Sequence, residues 1–201
     1  MARMYHNPTA LGPHLDPEAK QSQTAAPMSE ASSESPPQIR EFADQAVEYV
    51  RRSVGLTVEY DSDTLPLVDH YLREVPDDNE AAQALIASAT GAYFGEVVRH
   101  RLGGSWQLNS GDPEDWRFIL PGGMCISPVG IAMAAMRRDD SYDPGLDAPP
   151  KMMTHIEGAL GRMGQTTEED YFSLCGRLDT IEHIQTVLLA IAKSEADKQK
   201  N

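Results

Sequence analysis

Two glycines four residues apart, Gly91 and Gly95, sit inside a stretch that otherwise reads as one long helix. Residues at i and i+4 share a helix face, and each glycine in a helix interior costs about 1 kcal/mol against alanine. A chain keeps such a pair where another element packs directly on the bare backbone. Gly91-Ala-Tyr-Phe-Gly-Glu96 leads to Leu102-Gly-Gly-Ser-Trp106. The helix is therefore expected to stop at Gly103-Gly104 and pass straight into a Trp-bearing strand. This pattern speaks of construction and hardly at all of chemistry.

The remaining elements follow from periodicity and caps. Ile39, Phe42, Ala43, Ala46, Val47 and Val50 recur at helical spacing and define a first helix, with Gly55 as its stop. Leu56 to Tyr60 alternates and carries β-branched residues, which predicts a short strand. Asp61-Ser-Asp63 caps a helix from Leu65 to Glu74. Asp77-Asp-Asn79 caps the glycine-bearing helix, Glu80 to Leu102, with Ala82, Leu85, Ile86, Ala89, Tyr93 and Val97 as its apolar stripe. Three strands are expected over 105–108, 116–120 and 124–127, then a helix from Pro128 to Arg137 and a long loop to Pro150. Helices over 152–163, 168–178 and 181–196 close the chain.

The fold class is accordingly α+β, a small antiparallel β-meander packed by helices, with a helical C-terminal extension. Residues 1–37, with six prolines and a Ser/Glu run, are expected as a disordered N-terminal tail. Within that tail, Met4-Tyr5-His6 is the one short cluster resembling a docking motif. Residues 38–150 form the α+β domain, 151–196 a helical extension packed on it, and 197–201 a solvated tail.

Charge narrows the function classes. The 31 acidic and 17 basic side chains give a net charge of −14, opposite to what phosphate neutralisation demands, so no nucleic acid is expected as a partner. No stretch approaches the roughly 20 apolar residues that span a bilayer, and no secretory h-region follows Met1. The expectation is a cytoplasmic protein without membrane association, with Cys125 and Cys175 reduced. The six histidines show no metal-ligand spacing, and the Asp-rich segment Arg137 to Asp143 lacks the ligand set of a calcium loop. No cofactor and no metal are expected.

Taken together, Asp61-Ser-Asp-Thr-Leu65, the Gly91 to Glu96 helix, Gly103-Gly-Ser-Trp106 and Ile126-Ser-Pro128 resemble a group of uncharacterised bacterial domains. In that group a small-x-aromatic-x-Gly-Glu helix is followed by Gly-Gly-x-Trp. The resemblance covers about residues 40 to 138, implies the fold, and brings no established activity.

Among single residues, Glu96 stands out, because a carboxylate between Tyr93 and Val97 is costly unless paired. It is either a general base or ligand hook, or a structural group paired with Arg99 or His100, within reach at i+3 and i+4, or hydrogen-bonded to the strand backbone; the structural reading is favoured. Arg99, Arg101, Arg137 and Arg138 close two helices, where they compensate the macrodipole. With Trp106 they are the candidate partner-binding residues. Cys125 with a distant histidine is the one conceivable nucleophile pair, and a buried small hydrophobe is the more economical account of it. Ile181, Ile184, Val187, Leu188 and Ile191 make one apolar face, a core helix or a docking face for a partner or a second copy. The expected function is a non-enzymatic protein-interaction or regulatory protein, adaptor-like, that recognises a protein partner through its surface. Homo-oligomers stay open. The alternatives are an immunity-like inhibitor of a basic toxin and a small hydrolase or transferase using Cys125 or Glu96.

Overall fold

A computed structural model describes residues 34–199. The expectations for residues 1–33 and for the last two residues lie outside the described residues.

Helix α1 (Pro37–Val54) enters on Pro36-Pro37, whose fixed φ suits a first turn. It ends on Gly55 at φ 79°, a left-handed position that glycine takes without strain. Order begins earlier than expected: Ser35, assigned above to the tail, is buried. Helix α2 (Leu65–Arg73) follows a 3-10 turn over Ser62–Thr64, whose cap is the Asp61 carboxylate. Helix α3 (Glu80–Leu102) starts on Asn79, which accepts from the Ala82 amide at 3.0 Å.

Helix α3 is the axis of the fold. From Ala87 to Val98 every residue is buried, so it carries no single apolar stripe, and Leu85, placed on that stripe, is 48 % exposed. The correction has a simple cause. A helix enclosed on all sides needs small or apolar residues all round, and α1 and α4 (Pro128–Arg137) pack on different sides of it.

Strands β1 (Ser105–Leu108), β2 (Trp116–Ile119) and β3 (Cys125–Ile126) form an antiparallel sheet in the order β1-β2-β3. Trp106 is paired with Phe118, and Phe118 with Ile126. The fold is α+β, as expected.

The strand predicted over Leu56 to Tyr60 does not form; the segment is extended but lies outside the sheet. Its carbonyls are met by side chains of α3 instead. The Tyr93 hydroxyl donates to the Glu59 carbonyl, and His100 Nδ1 lies 3.2 Å from the Tyr60 carbonyl. Alternation reports a half-buried extended chain, and here Val58 is the buried residue, but a strand also needs a neighbouring strand.

Helix α5 (Pro150–Leu160) packs on α7 (Leu174–Gln199), with the one-turn α6 (Glu168–Tyr171) between them. The two final helices expected over 168–178 and 181–196 are thus corrected. The break lies at Phe172-Ser173, and α7 runs unbroken through Asp179-Thr180 to Gln199, into the segment expected as a solvated tail. Thr180 stays helical by donating back to the Gly176 carbonyl at 2.8 Å. α7 also meets α2, α3 and α4, with Leu174, Leu178, Ile181, Ile184 and Leu188 buried.

Candidate functional site

The glycine pair does what its spacing implies, against two different elements. A Cβ on Gly91 would lie 2.6 Å from the Val129 Cα, where α4 begins, and one on Gly95 would overlap the Trp106 ring. With the indole seated there, its Nε1–H donates to Glu96 Oε1 at 2.7 Å. Arg99 grips the same carboxylate from the next turn, at 3.0 Å from Nε and 2.9 Å from Nη2 to Oε2. Burial raises the Glu96 pKa, but the bonds from Arg99 and Trp106 outweigh it and hold the group below its ordinary value. Glu96 is an ion-paired anchor, charged at neutral pH, that ties β1 to α3. A general base has to take up a proton near neutral pH, and this environment opposes that.

Of the five candidate partner-binding residues, Arg99 and Trp106 meet at Glu96 and the others lie elsewhere. Arg101 pairs with Glu182 of α7. Arg138 pairs with Glu168 at 3.2 Å, and Arg73, at the end of α2, with the adjacent Glu169 at 3.6 Å. The end of α4 therefore lies by the end of α2, on the side from which the chain enters α3. Arg99 and Arg101 belong to the other end of α3, about 28–32 Å along the helix from Glu80 at about 1.5 Å per residue, so the two arginine groups do not form one patch. Arg137 is half-buried, with Nε out of solvent and without a hydrogen-bond partner among the described residues.

Cys125 lies in β3, with its amide donating to the Asp147 carbonyl at 2.7 Å. Burial pushes its thiol up. Cys175 is pushed up to about 12 by burial and then by Asp69. Both are thiols at neutral pH rather than nucleophilic thiolates.

The most apolar cleft among the described residues lies where sequence reasoning placed no candidate. A cleft of about 400 Å³ opens between α5, α7 and the loop after the 3-10 turn Asp140–Tyr142. Ile131, Ile156 and Ile181 form its floor, and Met153, Leu160 and Met163 its wall. Leu160 and Tyr171 are each 40 % exposed at its rim. At the polar end stands Arg177, with 18 % of its side chain exposed, 3.5 Å from the 7 % exposed Asp143 carboxylate. The guanidinium carbon lies 4.3 Å from the centre of the Tyr171 ring. The atom facing Asp143 is Nη2, which is out of solvent and at that distance makes no hydrogen bond among the described residues.

Each part of this end is held from behind. Asp143 Oδ1 accepts from the Gly145 amide at 2.9 Å, which shapes the loop. A Cβ on Gly176 would overlap the Asp170 carbonyl oxygen, so only glycine lets α6 bring Tyr171 up to Arg177. The Asp-rich segment weighed and set aside as a calcium loop thus supplies a partner for an arginine. A second cavity, on the far side of the same loop, is built differently. Its cation, Arg117, donates from Nη1 to the Glu114 and Trp116 carbonyls at 2.7 and 2.9 Å, so that nitrogen is already engaged.

Comparison with known proteins finds no matching family, no matching curated protein and no matching solved structure. Among the described residues no group of His, Cys, Asp and Glu is arranged to hold a metal ion, and no helix is long and apolar enough to cross a membrane.

Proposed function

We propose that this chain is a non-enzymatic interaction protein that recognises a partner protein through the cleft between α5 and α7. The observation that carries the reading is the coincidence, at one place, of an apolar concavity, an exposed rim of Leu160 and Tyr171, and a mostly buried arginine paired with Asp143. Interfaces are built on such a centre, an apolar or aromatic anchor with arginine beside it. The competing reading, a hydrolase or transferase, needs Glu96 or Cys125 as its reactive group. The first is spent as an ion-paired anchor, the second is a thiol in a strand, and neither lines the cleft.

Affinity capture from the source cells, with the parent protein and Leu160→Glu run side by side, tests this. Leu160 is exposed enough for the variant to keep its melting temperature. Proteins retained by the parent and lost by the variant are the expected result. An identical set from both baits would refute the cleft as the recognition site.

A further inference from the structure

The chemistry of the occupant can be read from the charges around the cleft. The polar end is already neutral, since Arg177 is matched by Asp143 at 3.5 Å. A ligand carboxylate would gain Arg177 and meet Asp143 in the same step, so this end offers an anion no net attraction. Glu157 lines the cleft from α5, exposed and with no ion pair among the described residues. The chain as a whole carries −14. A cation next to the apolar anchor therefore gains both locally and at long range, whereas an anion there loses on both counts.

Resting on the interaction reading above, we infer that the cleft accepts a segment of the partner in which a bulky apolar side chain is flanked by lysine or arginine. The apolar side chain fills the space between Ile156, Leu160, Met163 and Ile181. The flanking cation faces Glu157. A 400 Å³ cleft is of the size that takes one or two large side chains rather than a folded surface.

Met153 and Met163 both line the cleft, so methyl-labelled methionine NMR of the full chain reads its occupation directly. The probes are three hexapeptides: Leu-Phe flanked by lysines, Leu-Phe flanked by glutamates, and Gly-Ser flanked by lysines. The lysine-flanked Leu-Phe peptide is expected to shift the Met153 and Met163 methyls, to bind at least about threefold more tightly than its glutamate counterpart, and to exceed the Gly-Ser peptide by more. Glu157→Lys, a surface change that leaves the fold intact, should reverse the order of the two Leu-Phe peptides.

No shift with the lysine peptide at millimolar concentration, or an equal response to both charges, overturns the inference. So does Arg177-dependent binding of dodecanoate in place of the peptides, which would make the cleft a site for a small amphipathic acid. If Leu160→Glu loses captured partners while the peptides show no charge preference, the interaction reading stands and this inference alone falls. If Leu160→Glu captures the same set as the parent, the interaction reading itself falls.

Discussion

Asp69 of α2 caps a helix that begins 105 residues later: its Oδ1 accepts the backbone amide of Leu174 at 2.6 Å. Its other oxygen takes the Cys175 amide at 3.2 Å. Helix N-termini leave backbone donors unmet, and the usual cap is a polar residue just before the helix. Ser173 holds that position and serves the Gly176 amide at 2.9 Å, leaving the first two amides of α7 to a side chain from another element. This bond joins α7 to the rest of the fold and places Arg177 one turn further along, over the cleft.

Asp69→Ala should therefore cost about 1–3 kcal/mol, because two buried amides lose their acceptor. Chemical denaturation measures the loss, and cleft occupation should weaken in parallel as the start of α7 loosens. Burial raises the Asp69 pKa against the opposing bonds from Leu174 and Cys175. The charged form is thus disfavoured in the folded state, and the contribution of this group to stability is lost as pH rises from the ordinary value of 3.8 through the raised one. Substitution by alanine should flatten that part of the stability–pH curve.

Glu96 has the opposite sign. Its folded pKa lies below the ordinary 4.5, so the unfolded chain binds its proton first. Stability from this group is present above about pH 4.5 and is lost as pH falls through the lowered folded value. The parent protein and Glu96→Gln should differ most at neutral pH and converge in acid. Thermal melts from pH 7 to 3 that stayed parallel would show that the carboxylate is not ion-paired in the fold.

The two glycines of α3 predict unequal costs for the same substitution. Gly91→Ala drives a methyl into the Val129 backbone, which cannot move without shifting α4, whereas Gly95→Ala meets a side chain, the Trp106 indole. Overpacking of this kind costs about 1–3 kcal/mol, and Gly91→Ala should lie at the upper end. Gly95→Ala should in addition break the indole bond to Glu96, visible as a changed Trp106 emission spectrum. Equal stability for parent and Gly91→Ala would mean that α4 does not cross α3 at that point.

Much of the architecture was legible in local pattern. Asn79, the Gly55 and Gly103 stops, the Gly91/Gly95 contact face and the three short strands are statements about neighbours in sequence, and local sterics and capping decide them. The errors came where a distant group intervened. Leu56 to Tyr60 has the alternation of a strand, but α3 side chains took the carbonyls that a strand partner would have taken. The start of α7 was misplaced because its cap is a carboxylate on α2. The arginine candidates were read as a surface patch because sequence shows like charges clustered at helix ends and not the acids opposite: Glu182 for Arg101 and Glu168 for Arg138 lie 81 and 30 residues away.

By itself the sequence determined where the helices up to α4 run and stop, and which helix backbone must be approached closely, since those follow from side-chain size, φ preference and periodicity within a few residues. Only the tertiary structure decided which arginine matters. Arg177 is one of several cations on helices, and it becomes distinctive only because Asp143, Tyr171 and the apolar wall of α5 arrive from three other parts of the chain. A binding site is a convergence of side chains in space, and hydrophobic burial, which brings them together, is non-directional and carries no record in local order.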